Sequence, residues 1–185
     1  MSNIELPRVT DIIKPFSNFK HVQEKVLLRA AERGTAVHSF CASIAQGEWI
    51  IDSLIHEELK GYIDSFRQWH AKIPKKYLVV EKRYRSEKMG YTGQVDFVIE
   101  SADGNPYLID IKTSASHHKT YPLQMAAYTK LLHEANIMTE GADLLYLNKD
   151  GKFPKVVVCK HLSDDIEVFE AALKCYNYFN PRKEK

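Results

Sequence analysis

The feature that most constrains the fold is a change of hydrophobic periodicity near residue 74. Residues 51–71 place apolar side chains such as Ile55, Tyr62 and Phe66 at helical spacing, and Pro74 closes this predicted helix. Residues 77–85 and 92–100 are instead rich in β-formers, with Gly90 at a turn between them. The sequence therefore predicts helices first and a sheet after them.

Further helices and strands follow from local signals. We expect a short first helix to begin at Thr10, whose hydroxyl would cap it, and a helical region over 22–46 that is interrupted or bent at Gly34. The turn at 101–105 precedes a third strand at 107–113, and a helix is expected over 121–135. Strands at 143–148 and 155–160 and a last helix, beginning at Asp164 with Glu167 in a capping box, complete the prediction.

This order of elements predicts the fold class. Helices, a three-stranded meander, a crossover helix, further strands and a closing helix make a mixed sheet covered by helices, which is an α/β or α+β fold. The 185 residues suit one domain over 1–185, with a helical N-terminal part at about 8–72 and a sheet-bearing core at about 77–180.

Composition excludes some classes of protein. No apolar run approaches the roughly 20 residues of a membrane span, and no signal segment stands at the start, so we expect a cytoplasmic protein without a membrane partner. The net charge of +2 neither requires nor excludes nucleic acid. Cys41, Cys159 and Cys175 are widely spaced, which favours reduced cysteines over a disulfide framework or a zinc site.

Asp110 and Lys112 are the first candidates for chemistry. Because side chains alternate along a strand, Leu108, Asp110 and Lys112 should share one face, and Tyr107, Ile109 and Ile111 the other. Taken alone, this pair is more often a surface ion pair.

Asp96 changes that interpretation. It lies in an apolar run fourteen positions before Asp110, so a tight turn would bring the two carboxylates together on adjacent strands. Buried neighbouring carboxylates need a cation between them, and Mg²⁺ or Mn²⁺ prefers such oxygen ligands. Lys112 could then orient or activate the attacking water. The alternative is that backbone amides satisfy the carboxylate.

Four short motifs together resemble a known family. They are G-T-A-V-H at 34–38, G-Q-V-D at 93–96, D-I-K-T at 110–113 and Q-M-A-A-Y at 124–128. In this order they resemble the RecB-type branch of the PD-(D/E)XK nuclease superfamily. The segments 7–10 and 33–35 resemble small stand-alone nucleases of that branch, often found in phages. The resemblance extends over about residues 7–135 and implies a restriction-endonuclease-like mixed sheet flanked by helices.

The resemblance implies roles for individual residues. Asp96 and Asp110 would bind one or two Mg²⁺ or Mn²⁺ ions, with His38 and the backbone carbonyl of Ile111 as further ligands. Lys112 would lie near the nucleophilic water.

Other roles lie around this centre. Gln124 and Tyr128 share one helix face and would support the site and contact the DNA backbone, together with Thr113 of the third motif. Glu81 is either an acidic site residue or an ordinary strand-end glutamate, and the sequence leaves both open. The cysteine pattern of the iron–sulfur relatives is missing, so no iron–sulfur cluster is expected.

The loop that follows the D-x-K strand is the last candidate. Lys119 suits contact with a phosphate, whereas His117 and His118 are expected to be solvated rather than metal ligands. The pairs 75–76 and 82–83 form either a basic rim or ordinary solvated surface.

These observations predict a Mg²⁺- or Mn²⁺-dependent deoxyribonuclease. By resemblance it would be an exonuclease in DNA recombination, repair or phage DNA processing, leaving 5′-phosphate ends, with linear ends or single strands of DNA as substrate. A recombination or replication protein is a further expected partner. The alternatives are a structure-selective endonuclease and a nuclease-fold module that binds nucleic acid or protein without cutting.

Overall fold

The computed structural model describes residues 6–19, 21–73 and 75–181, with the side chain of Lys75 excepted. The elements follow the predicted order: α1 (Val9–Ile13), α2 (Glu24–Ala45), α3 (Glu57–Lys72), β1 (Lys75–Ser86), β2 (Tyr91–Ser101), β3 (Pro106–Lys112), α4 (Thr120–Glu134), β4 (Gly141–Tyr146), β5 (Lys155–Val158) and α5 (Leu162–Phe179). Two short 3-10 segments, Lys14–Phe16 and Asp52–Leu54, precede α2 and α3. Pro74, expected to close α3, lies outside the described residues.

The strands form one mixed sheet in the order β1-β2-β3-β4-β5. Neighbouring strands are antiparallel except for β3 and β4, which are parallel. β3 and β4 are parallel because α4 carries the chain back to the end of the sheet at which β3 begins. β4 then runs in the same direction as β3. The predicted fold class, a mixed sheet flanked by helices, is therefore confirmed.

The sheet has a hydrophobic core on each face. One core contains Leu108 together with Phe169 of α5 and Met125 of α4. The other contains Ile109 and Ile111 with side chains of α2 and α3. Leu108 lies in one core and Ile109 and Ile111 lie in the other, so the alternation predicted for β3 is confirmed.

Four predictions about helices were wrong. The residue before α1 is Arg8, and Thr10 lies inside the helix. Arg8 has an extended backbone that bridges to Thr92, and its guanidinium pairs with Asp11 at 3.0 Å. Similarly, α5 begins two residues before Asp164, so Asp164 lies within the first turn and does not cap the helix. Its carboxylate there is still favourable beside the helix N-terminus.

The third correction concerns Gly34, where α2 is neither interrupted nor ended. A helical glycine costs about 1 kcal/mol relative to alanine. That cost is small beside the packing of a 22-residue helix against α3 and β1.

The predicted helix over 51–71 is also shorter than expected. It begins at Glu57, where His56 Nδ1 accepts a hydrogen bond from the Glu58 amide at 3.3 Å. The preceding residues form the 3-10 turn. Among the described residues, no helix is both long enough and apolar enough to cross a membrane.

Candidate active site

An open cleft of about 1060 Å³ lies between α2, α4 and the strands β1, β2 and β3. Its lining includes nine of the residues that the sequence singled out: His38, Glu81, Asp96, Asp110, Ile111, Lys112, Thr113, Gln124 and Tyr128. Lys119 is exposed at the start of α4 and is not part of the lining. The fold thus brings the four motifs to one cleft, and the phosphate contact of Lys119 stays a prediction.

Strand pairing places Glu81 opposite Asp96. The β1–β2 register pairs Val80 with Phe97 and Lys82 with Val95, and Glu81 and Asp96 occupy the position between these pairs. Glu81 has a φ of 43°, which is rare for a residue with a side chain. Such strained positions persist where the surrounding structure enforces them, and they cluster at functional sites.

Asp96 lies where β2 and β3 separate. The β2–β3 ladder ends at the pair Phe97 and Ile109, and beyond it Asp96 Oδ2 accepts a hydrogen bond from the Ile111 amide at 2.8 Å. A backbone amide therefore satisfies one oxygen of this buried carboxylate. The other oxygen, Oδ1, faces His38 at 3.2 Å. The backbone-amide contact expected as the alternative for Asp96 is thus present, and the metal-ligand role stays a prediction.

His38 projects from α2 onto three neighbouring strands. Its Nδ1 lies 3.2 Å from Asp96 Oδ1 and 3.5 Å from Glu81 Oε1, and its Nε2 lies 3.1 Å from the Ile111 carbonyl oxygen. Burial lowers the pKa of His38, but the nearby carboxylates of Asp96 and Glu81 outweigh it and hold the pKa well above the ordinary value. The same carboxylates that raise the pKa of His38 would also favour a bound cation.

These three side chains fit a divalent metal ion. The ligand atoms of His38, Glu81 and Asp96 all lie within 4.8 Å of one another. Glu81 Oε1 is buried and accepts no hydrogen bond of ordinary geometry. An oxygen-rich donor set with one imidazole suits Mg²⁺ or Mn²⁺. Glu81, which the sequence left open, belongs to this group, whereas Asp110 lies beside it.

Asp110 takes part in a separate polar network. Lys112 Nζ lies 2.6 Å from Asp110 Oδ2 and donates to Gln124 Oε1 at 2.9 Å. Gln124 Nε2 donates to Asp110 Oδ1 at 3.2 Å and to the Tyr128 hydroxyl at 2.9 Å. The amide of Gln124 therefore uses its oxygen and both of its hydrogens, which fixes the positions of Asp110 and Lys112.

The pKa values of the Asp110–Lys112 pair reflect burial and mutual attraction. The net pKa of Asp110 is raised to about 6. Burial is the main cause and the charge of Asp96 adds to it, whereas Lys112 lowers the pKa. For Lys112, burial lowers the pKa, but the Asp110 carboxylate outweighs this and the net pKa is raised. The pair is consequently a carboxylate beside an ammonium at neutral pH.

Gly93 links the second and fourth motifs. A Cβ atom at this position would lie 2.6 Å from the Tyr128 ring, closer than side chains pack. The glycine therefore lets the Tyr128 ring, and with it α4, lie directly against β2. The contact between Gly93 and Tyr128 gives a physical reason why the second and fourth motifs, each uninformative alone, occur together.

Sequence analysis missed two cleft residues. Gln94 Nε2 donates to Glu81 Oε2 at 2.6 Å and so orients the other oxygen of Glu81, which faces His38. Tyr121 presents its ring to Lys112 Nζ, 4.4 Å from the ring centre. Gln94 stands inside the G-Q-V-D motif, and Tyr121 lies three residues before Gln124 on the same helix face. These two positions are the sequence features that could have identified Gln94 and Tyr121 as site residues.

The loop histidines differ from each other. His117 is exposed and shares a hydrogen bond of 2.7 Å with the Tyr146 hydroxyl. His118 is half-buried, lines the cleft and stacks on Phe19. Neither belongs to the group of potential metal ligands. Lys82 and Arg83 are exposed on β1 and are not part of the cleft lining.

Comparison with known proteins identifies the family. A model of the PD-(D/E)XK nuclease superfamily matches residues 13–180. The chain belongs to the PD-(D/E)XK nuclease superfamily, whose members use divalent metals. The superfamily assignment made from the motifs is thereby confirmed.

Two solved structures are similar to this chain. LHK-Exo in complex with dAMP has 12% sequence identity and a TM-score of 0.45, covering 95% of this chain and 91% of that chain. SSO0001 has 12% identity and a TM-score of 0.37, covering 76% of this chain and 85% of that chain. A search of curated proteins found no match.

Proposed function

We propose that this chain is a divalent-metal-dependent nuclease that hydrolyses phosphodiester bonds of DNA. The observation that carries the proposal is the convergence of His38, Glu81 and Asp96, with ligand atoms within 4.8 Å of one another, beside the Asp110–Lys112 pair in an open cleft. A non-cutting module would have no need to keep both a metal-ligand group and an adjacent ammonium in one cleft.

Each residue of the site has a proposed role. His38, Glu81 and Asp96 would hold the ion, and Asp110 and the Ile111 carbonyl would be further ligands. When bound, Mg²⁺ or Mn²⁺ would polarise the phosphate and lower the pKa of bound water.

The chain's own groups would do the rest. The Lys112 ammonium would donate hydrogen bonds to the attacking water or to a phosphate oxygen, where negative charge develops. Gln124 would hold Lys112 and Asp110 in position, and the Tyr128 hydroxyl would hold Gln124 through their 2.9 Å hydrogen bond. Thr113, which also lines the cleft, would contact the DNA backbone.

The finer proposal is exonuclease action in DNA recombination, repair or phage DNA processing. It rests on the RecB-type motifs and on α2, which forms one wall of the cleft through Ala30, Gly34 and His38. A wall of this kind suits a strand end that enters along the cleft.

The decisive experiment measures cleavage of end-labelled linear DNA with Mg²⁺ or Mn²⁺, with excess chelator, and with the variant Asp96→Asn. Chelator and Asp96→Asn should each lower the rate by at least about 100-fold, because both remove metal binding. Asparagine keeps an oxygen that can accept from the Ile111 amide, so the fold should persist. Asp103→Asn, in the exposed turn between β2 and β3, is the matched control. Undiminished cutting in chelator would refute metal dependence.

A further inference from the structure

Three aromatic rings follow one another along one wall of the cleft. The rings of Phe19 and His118 stack with centroids 5.0 Å apart and 28° between their planes. The His118 ring is 5.9 Å from that of Tyr121, which in turn faces Lys112. All three line the cleft, and none belongs to the metal-ligand group. A row of rings therefore leads from Phe19 to the lysine of the site.

Phe19 is unusual because its large apolar side chain stays 41% exposed at the cleft. The residue lies between the Lys14–Phe16 segment and α2. An isolated exposed phenylalanine is common, but here the ring is stacked against a second ring that also lines the cleft. The stacked pair leaves apolar surface free for a flat ligand.

His118 is held in a fixed orientation. Its Nδ1 accepts hydrogen bonds from the Thr120 amide at 3.2 Å and from the Thr120 hydroxyl at 2.8 Å. Thr120 is the buried first residue of α4, so the ring is anchored to the start of a helix. A ring fixed before binding loses little conformational entropy when a ligand stacks beside it.

The ligand that suits such rings next to a phosphodiester site is a nucleobase of the same strand. Every base has a π-face that stacks on aromatic side chains, irrespective of sequence. Inside a duplex both faces of a base are covered by neighbouring bases, and at a blunt end only the last base pair has one free face. Unpaired bases therefore offer far more free surface for stacking.

We propose that Phe19 and His118 form a stacking subsite for unpaired bases of the DNA strand whose phosphodiester lies at Lys112. Tyr121 continues this subsite towards the lysine. The inference rests on the proposed nuclease function and adds its substrate class: a DNA strand with a single-stranded end.

The test measures binding of fluorescently labelled oligonucleotides by anisotropy in chelator, where no cutting is expected. Phe19→Ala should weaken binding of single-stranded DNA by about 5- to 100-fold, whereas Phe19→Trp should keep it, since stacking contributes on this scale. Binding of a blunt duplex should weaken much less in Phe19→Ala, because only the last base pair at each end has a free face. Phe179→Ala, at the exposed end of α5 and outside the cleft lining, should change neither affinity.

A second arm leaves the protein unchanged. In an oligonucleotide series with one abasic site at each position, wild-type binding should weaken where the missing base would stack. At that position Phe19→Ala should cause no further loss. Wild-type affinity that does not depend on any base, or equal losses for single-stranded and duplex DNA with Phe19→Ala, would overturn the proposal. Cutting with Mg²⁺ that is insensitive to Phe19→Ala refutes this subsite alone, whereas absence of cutting refutes the nuclease function.

Discussion

At the scale of single residues, His38 connects α2 to three strands. Its ring meets β1 through Glu81, β2 through Asp96 and β3 through the Ile111 carbonyl. A helical histidine with three such contacts is placed to complete a metal site, but it could also serve only to hold the helix on the sheet. The two roles predict different effects of mutation.

If His38 is a metal ligand, His38→Ala should lower cleavage by roughly 10- to 100-fold, because a ligand is lost. High Mn²⁺ should restore part of the rate by mass action. Cleavage rates over a metal titration, with melting temperatures, provide the measurement. His133→Ala, on an exposed part of α4, is the control. A lower melting temperature with unchanged activity per folded molecule would instead identify a structural histidine.

Asp143 provides a test of electrostatics outside the site. It lies half-buried on β4, burial raises its pKa, and the described part of the chain offers its side chain no hydrogen bond or ion pair. An acid whose folded-state pKa is raised favours folding when protonated, and this stability is lost as the pH rises through that pKa. At pH 7 the charged side chain therefore destabilises the fold.

Asp143→Asn should raise the melting temperature at pH 7 by about 2 °C. The difference should vanish below the ordinary aspartate pKa of about 4, where the wild-type side chain is neutral as well. Thermal unfolding at both pH values measures this, with Asp150→Asn in the exposed turn after β4 as control. A gain of equal size at both pH values would show that desolvation of the charge is not the cause.

At the scale of elements, two helical glycines have opposite surroundings. A Cβ atom at Gly61 of α3 would lie 1.7 Å from the Lys149 carbonyl oxygen, so the helix backbone touches the turn after β4 directly. The nearest atom to a Cβ at Gly34 of α2 would be Thr113 Oγ1 at 3.8 Å, an ordinary contact. Only Gly61 is required by packing.

Gly61→Ala should therefore lower the free energy of unfolding by at least about 1 to 3 kcal/mol, because backbone must move. Gly34→Ala should raise it by about 0.5 to 1 kcal/mol, since alanine is the better helix former. Denaturant unfolding of both variants measures the pair, and the two changes must differ in sign. Destabilisation by Gly34→Ala would mean that α2 needs its glycine after all.

At the scale of the whole molecule, the cleft brings carboxylates together with basic side chains such as Lys112 and His38. Glu81, Asp96 and Asp110 all lie there, although the chain as a whole carries a net charge of +2. Total charge is therefore a poor guide to a nucleic-acid partner here, because it does not show how the charges are distributed in the folded chain.

Access to the cleft decides between exonuclease and endonuclease action. If a strand end must enter along α2, linear DNA should shorten progressively from its ends, while a covalently closed duplex circle should survive. A gel time course of one circle, closed or linearised by a single cut, compares the two forms at equal sequence. Rapid nicking of the closed circle would favour an endonuclease and would leave the proposed roles of Asp96, Asp110 and Lys112 unaffected.

The sequence by itself determined the order of the elements, the alternation along β3 and nine of the residues that line the cleft. These features are local: periodicity and motif spacing depend on neighbours within a few positions. The superfamily was also recognisable from four motifs in order. The helix starts at Val9 and Leu162 were not. For α1 the reason is a tertiary contact, because the bridge between Arg8 and Thr92 sets the backbone before the helix.

Only the tertiary structure decided which side chains share the metal-ligand group. Glu81 enters it through the β1–β2 register and a positive φ, and His38 through the packing of α2 across three strands. Asp110 pairs instead with Lys112 because Gln124 of α4 holds both. Register and helix docking arise from contacts between residues far apart in the chain. Local sequence patterns therefore identified the candidate site residues, and long-range packing determined which of them contact one another.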